Sequence, residues 1–133
     1  NRVFDEIVMA GILTTGIVSG CMPGDFNSTI AHAICYGCAE DPKTEEEHLH
    51  GEMVAYGLLI LFAADQQWDQ LERWLPVYRS IGWPTKLSEL GLTTDDIPMI
   101  VKKAASVRDV VICPYVVTEE LLTEAILKVE VHN

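Results

Sequence analysis

Three of the four histidines in the sequence lie within nineteen positions, at His32, His48 and His50. His32 falls in the stretch AHAICYG, and His50 begins HGEMVAYG, which leads into a longer apolar run. A neutral imidazole nitrogen is a common ligand of zinc and iron, and a catalytic metal site typically takes three protein ligands and keeps one position open. The spacing is compatible with two packed helices in which His32 and His50 each offer one imidazole to a shared divalent ion.

Glycines accompany these histidines at positions 37, 51 and 57, where the missing side chain would allow two helices to approach closely. Residue types alone leave a second interpretation open, in which the histidines are surface residues at helix ends. His48, in a solvated acidic turn, fits that interpretation best.

Two cysteines near the histidines offer a rival arrangement. Cys35 and Cys38 form a C-x-x-C, and with His48 and His50 they give C-x2-C-x9-H-x-H, which could bind a structural zinc ion. That spacing matches no standard zinc finger, and a thioredoxin-like motif would need a βαβ context that a helical neighbourhood does not provide. Small buried apolar side chains are the favoured role of these cysteines.

The elements that must position these residues are predicted to be helical throughout. Residues 1–133 are expected to form one all-α domain of about six helices, resembling a bundle, with Asn27 or Ser28 capping the short helix that carries His32. Thr44 and Glu47 have the spacing of a capping box, which predicts a long helix from about residue 45 to about residue 66.

The second half of the sequence carries further start and stop signals. Pro76 should bend or split the helix that contains Trp68, and Thr94 and Thr118 are positioned to cap the two helices that follow. The segment VVICPYVV is rich in residues that favour strands, but Pro114 indicates a loop or an edge segment.

Composition limits the partners. The net charge of −11 disfavours nucleic acid and anionic lipid surfaces, and the most apolar stretch, 53–64, is shorter than the roughly 20 residues that span a bilayer. No secretion signal is recognised, so we expect a cytoplasmic chain with free thiols and no membrane association. The sequence begins without methionine, which suggests part of a longer or processed protein.

The quoted residues resemble the iron-containing alcohol dehydrogenase superfamily, specifically its glycerol dehydrogenase-like branch. That branch places one metal-binding histidine in an A-H-A-I-x-x-G helix and another in an H-G-E-x-V-A-x-G helix. GWPTKLSELGL (82–92) and VICPYVVTEELLTEAIL (111–127) are similar to its later segments. The resemblance covers nearly the whole chain and implies its fold, the C-terminal helical metal-binding domain.

Carried over to this sequence, the resemblance implies that His32 and His50 bind a catalytic Zn²⁺ or Fe²⁺. The third ligand of the family, an aspartate, and the N-terminal nucleotide-binding domain that holds NAD(P) would lie upstream of this chain. The implied reaction is the reversible oxidation of a small alcohol, polyol or hydroxy acid, for which the helical domain alone would be inactive. A homo-oligomer is compatible with this interpretation.

Cys35 stands where that branch tends to have a second histidine, so glycerol is not a secure assignment for the substrate. Glu52 and Glu47 are the nearest carboxylates that could orient a ligand imidazole, with solvated surface charge the favoured role of Glu47. Two alternatives remain open: a dehydroquinate synthase-like cyclase, since LHGEMVA (49–55) also resembles that branch, and a helical assembly module in which the histidines have no ligand.

Overall fold

The structure, a computed structural model, describes residues 1–21 and 28–132. Within these residues the chain forms seven α-helices joined by loops and short 3-10 turns, and no β-strand. The helices are α1 (Arg2–Cys21), α2 (Ile30–Cys38), α3 (Pro42–Glu47), α4 (His50–Ala64), α5 (Trp68–Ile81), α6 (Ile97–Ser106) and α7 (Glu119–His132). The predicted all-α class is confirmed.

Helix α2 packs against α4 and α6, and α7 packs against the same two helices. The α2 sequence IAHAICYGC suits this packing, because small residues alternate with isoleucines that are fully excluded from solvent. Ile30, Ala33 and Ile34 are all 0% exposed. The helix that carries His32 is therefore held on several sides.

Two glycines allow the backbones of neighbouring helices to touch. A Cβ added at Gly57 in α4 would lie 2.9 Å from the Cα of Ala31 in α2 and closer still to its carbonyl oxygen. A Cβ at Gly37 would meet the carbonyl group of Ile100 in the same way. Gly51 has nothing within 4 Å, so the expected close approach holds for two of the three glycines.

The predicted long helix beginning near residue 45 is wrong, because the chain breaks between α3 and α4. His48 and Leu49 are extended, with ψ angles of 144° at both residues. Asp41 caps α3 by accepting from the backbone N–H of Thr44 at 2.8 Å. The Thr44 hydroxyl is buried against the carbonyl oxygen of Leu90 at 2.9 Å, so it does not begin a helix with Glu47.

The true start of α4 is stabilised by a different carboxylate. Glu52 accepts a hydrogen bond from the backbone N–H of Leu49 at 2.9 Å, which satisfies a donor that helix geometry would leave unpaired. This break makes His50 the first residue of α4 rather than a residue several turns into a long helix. The position of the histidine at the helix end follows from it.

Other local predictions have mixed outcomes. Thr118 caps α7 as predicted, accepting from the backbone N–H of Leu121 at 3.2 Å. Pro76 lies inside a helix that continues unbroken to Ile81, so it does not split α5. Thr94 does not cap α6: it begins a 3-10 turn whose preceding residue, Thr93, donates its backbone N–H to Asp96 at 2.8 Å, and Asp96 directly precedes α6.

Two further predictions concern the start of α2 and the segment around Pro114. The N-cap residue of α2 is Thr29, which makes no side-chain cap hydrogen bond, so the predicted cap at Ser28 is wrong; Asn27, the other predicted cap, lies outside the described residues. The segment around Pro114 forms turns and loop, as the proline indicated.

Helix α1 differs from the others because none of its residues is buried. Among the described helices it is the one long and apolar enough to cross a membrane by length and composition, a test that signal sequences and core helices also pass. The sequence-based expectation considered only the stretch 53–64, which lies in the 15-residue helix α4. Helix α1 is thus a second apolar segment, beside the stretch 53–64, and the longer of the two helices.

Candidate metal centre

The packing of α2 on α4 brings His32 and His50 together. His32 is the third residue of α2, and His50 is the first residue of α4. Their ring centroids are 5.8 Å apart, with the ring planes inclined at 47°. Gly57 lies in α4 where that helix touches the backbone of Ala31, the residue before His32, so this close contact helps to bring the helices of the two histidines together.

The separation of the two rings suits ligands of one ion. Two imidazoles that bind the same zinc ion at about 2.1 Å have ring centroids roughly 5 Å apart, so a small movement of either ring would suffice. Among residues 1–21 and 28–132, no group of three or more histidine, cysteine or carboxylate side chains is arranged to hold a metal. By their separation the two histidines suit one divalent ion, and they provide two of the three protein ligands that a catalytic site typically has.

The electrostatic surroundings of His32 favour the neutral imidazole. Partial burial lowers its pKa, the nearby His50 lowers it further, and the carboxylate of Asp109 opposes both effects. A metal ligand must present an unprotonated nitrogen. The environment of His32 therefore keeps it in the form that could bind an ion at neutral pH.

Cys35 lies between the two helices beside His50. Its Sγ atom is 3.4 Å from His50 Nδ1 and 3.9 Å from the backbone carbonyl oxygen of the same residue. The side chain is almost completely buried, at 1% exposure, and burial raises the pKa of its thiol to about 11. The sequence singled out Cys35 but did not predict its contact with His50. A signal was present, because Cys35 follows His32 by three positions, which places both side chains on one face of α2.

His48 and the carboxylates of Glu47 and Glu52 contact residues other than His32 and His50. The Nδ1 atom of His48 lies 3.5 Å from Glu52 Oε2, the carboxylate that also accepts from Leu49. Glu47 lies 4.0 Å from Lys43 on an exposed surface. Within the described part of the chain, neither carboxylate has a hydrogen bond to His32 or His50, and the side chain that contacts the His50 imidazole is the Cys35 thiol.

The rival zinc arrangement does not form a cluster. Cys35 and Cys38 are free thiols with 1% and 0% exposure, as expected for small buried apolar residues. Burial raises the pKa of Cys38 to about 12, with a further contribution from Cys35. A thiol in that environment is a poor thiolate ligand.

Comparison with known proteins gives several similar sequences. The chain is 33% identical over 134 residues to hydroxycarboxylate dehydrogenase A of Escherichia coli, covering 98% of this chain and 37% of that protein. It is 29% identical over 138 residues to an uncharacterized oxidoreductase of Synechocystis, covering 96% of this chain and 36% of that protein. A glycerol dehydrogenase of Thermotoga maritima is 34% identical over 104 residues, which cover 75% of this chain and 27% of the relative.

These similarities relate the chain to dehydrogenases. No protein-family model matches the sequence. The first two relatives are named as an oxidoreductase and a dehydrogenase. The chain spans 36% and 37% of their lengths, so it corresponds to about a third of each.

Proposed function

We propose that residues 1–133 are a single helical metal-binding domain of a longer, cytoplasmic, NAD(P)-dependent alcohol, polyol or hydroxy acid dehydrogenase. It would belong to the glycerol dehydrogenase-like branch of the iron-containing alcohol dehydrogenase superfamily. The observation that carries this proposal is the pairing of His32 and His50 at 5.8 Å between ring centroids, across a helix contact that requires glycine. The dehydrogenase names of the relatives support the same class of reaction.

In this proposal His32 and His50 would hold a Zn²⁺ or Fe²⁺ ion, with the remaining ligand supplied from outside the chain. When bound, such an ion acts as a Lewis acid that lowers the pKa of a substrate hydroxyl. The protein's contribution here is to present two imidazoles on separate, firmly packed helices. Burial and the nearby His50 lower the pKa of His32, which favours the unprotonated imidazole that metal binding needs.

The substrate class follows from the relatives rather than from a pocket in this chain. One relative is named for hydroxycarboxylates and another for glycerol, and both names denote small molecules that carry a hydroxyl group. No residue of this chain is assigned to NAD(P), which would be bound by a separate nucleotide-binding domain. The domain alone would therefore bind metal without catalysing oxidation.

Metal retention tests the proposal directly. The purified chain, stripped of metal, would be titrated with Zn²⁺, and anaerobically with Fe²⁺, against a competing chelator, and bound metal would be measured by plasma emission. We expect about one ion per chain. His32→Ala and His50→Ala should each weaken binding by at least about tenfold, because each removes one ligand nitrogen.

His48→Ala is the matched control, since His48 lies two residues from His50 but contacts Glu52 instead. It should bind metal as the wild type does. Equal binding by all four proteins, or loss of binding only in His48→Ala, would contradict the assignment of the ligands.

A further inference from the structure

The buried thiol of Cys35 makes two contacts with one histidine. Its sulfur lies 3.4 Å from the ring nitrogen Nδ1 of His50 and 3.9 Å from the backbone carbonyl oxygen of His50. Within the described residues, the contact with Cys35 is the one side-chain hydrogen bond of the His50 ring. The sulfur is therefore the group that can decide which ring nitrogen carries the proton.

The proton count at the sulfur decides the direction of each bond. A carbonyl oxygen can only accept, so both contacts can be hydrogen bonds at once only if the thiol gives its single proton to the His50 carbonyl. The sulfur then meets Nδ1 with a lone pair, and a hydrogen bond between them requires the proton to be on Nδ1.

We propose that Cys35 is a positioning residue that holds the neutral imidazole of His50 as its Nδ1–H tautomer, leaving the Nε2 lone pair free. For a metal-binding histidine, the partner of the second ring N–H commonly fixes the tautomer and the ring orientation. That partner is usually a carboxylate, a carbonyl or water; here it is a neutral sulfur from the neighbouring helix. The consequence for metal binding rests on the proposed function, whereas the tautomer itself does not.

The location of Cys35 explains how a residue of α2 can place a histidine of α4 beside His32. Cys35 follows His32 by three positions in α2, so the two side chains share a face of that helix. His32 would be placed by the helix backbone, and His50, at the exposed start of α4, would be placed by the sulfur. A first helical residue otherwise has few neighbours to restrain its ring.

The tautomer can be read by nitrogen NMR. The metal-free chain, labelled with ¹⁵N in its histidines, would be studied at mildly alkaline pH, where imidazoles are neutral. Long-range ¹H–¹⁵N spectra distinguish a protonated ring nitrogen from a bare one. We expect a protonated Nδ1 and a bare Nε2 at His50, and a shift towards the Nε2–H form in Cys35→Ala. Cys35→Ser, whose hydroxyl can also donate and accept, should retain part of the wild-type signature.

Several results would overturn the proposal. A wild-type His50 that is mainly protonated at Nε2 would do so without any variant, so a poorly folded Cys35→Ala cannot leave the question open. An unchanged His50 signature in a folded Cys35→Ala, with His48 resonances as the internal reference, would also do so.

A second measurement separates this proposal from the proposed function. If both hold, Cys35→Ala should lower zinc affinity by about 10- to 100-fold and Cys35→Ser by less, as found for residues that orient metal ligands. If the wild-type chain binds no zinc but shows the Nδ1–H tautomer, the metal assignment fails and the role of Cys35 stands. If zinc binds normally and the tautomer is Nε2–H, only the role of Cys35 fails.

Discussion

His32 illustrates how packing changes the chemistry of one residue. Burial and the proximity of His50 lower its pKa below that of an exposed histidine. Near pH 6.5 the unfolded chain therefore binds more protons at this position than the folded chain does, and the free energy of unfolding rises with pH there. The contribution is complete above the unfolded pKa and is lost as the pH falls through the folded one. Neutral His32 is thus favoured by the fold itself.

The four cysteine thiols differ in expected reactivity because they differ in burial. Cys21 is exposed and Cys113 is partly buried, whereas Cys35 and Cys38 are enclosed. Thiolates are the reactive species, so a pKa raised from 9.0 to about 11 lowers the reactive fraction of Cys35 by about a hundredfold at mildly alkaline pH. Steric protection adds to that effect.

We therefore predict a fixed order of labelling by a maleimide in the native, metal-free chain, followed by mass spectrometry of the peptides. Cys21 should react first and Cys113 more slowly, while Cys35 and Cys38 should remain unlabelled by more than about a hundredfold in rate. In denaturant all four should react alike, which provides the control. Native labelling of Cys38 at the rate of Cys21 would contradict the packing described for α2.

The residue types of the site were predictable, but their contacts were not. His32 and His50 stand out in the sequence because histidines are rare in it and both fall in motifs of a known family. The partner of His50 could not be deduced, since the contact with Cys35 depends on the register of α4 against α2. Glu52, a plausible orienting group by proximity in sequence, is instead used to cap the helix and contact His48.

At the level of elements, the site depends on how closely α2 and α4 approach. Gly57 meets the backbone of Ala31, the residue immediately before His32, so the spacing of the two helices is set beside the site. Backbone atoms cannot move aside as a flexible side chain can. Any side chain at position 57 must therefore separate the two helices that carry the imidazoles.

We predict that Gly57→Ala lowers the free energy of unfolding by about 2–3 kcal/mol through overpacking, and that it also weakens metal binding. Gly51→Ala is the matched control in the same helix: it has open space around it and should be neutral or stabilising by about 0.5–1 kcal/mol. Chemical denaturation of both variants measures the difference. A Gly57→Ala protein as stable as Gly51→Ala would show that the helices are not in backbone contact.

The limits of sequence prediction at this level are clearest at the start of α4. Thr44 and Glu47 fit a capping box locally, but the Thr44 hydroxyl donates to Leu90, a residue 46 positions away. A long-range partner of this kind cannot be read from a local pattern. Of the predicted caps, Thr118 at α7 has a local partner, the backbone N–H of Leu121, and was predicted correctly.

At the scale of the whole molecule, packing within the described chain does not account for the apolar side chains of helix α1, which has no buried residue. It presents a continuous series of large apolar residues, which no element of the described chain covers. Those that are more than half exposed are Val3, Phe4, Ile7, Ile12, Leu13 and Ile17. Apolar surface of this extent is rare on a monomer and usually marks a contact with another surface. The chain spans only about a third of its relatives, so such a surface could belong to a contact within a longer protein or between copies.

For the chain by itself, we predict self-association through α1. Burying apolar side chains yields about 25 cal/mol per Å², so pairing two such helices would offset the repulsion expected from a net charge of −11 per chain. Sedimentation velocity at increasing concentration should show dimers or larger species. Ile7→Glu combined with Ile12→Glu should restore the monomer, since a buried charge would oppose the contact. Val116→Glu, at a position 83% exposed outside α1, should leave association unchanged. A wild-type chain that stays monomeric at high concentration, or equal association of both variants, would contradict this role of α1.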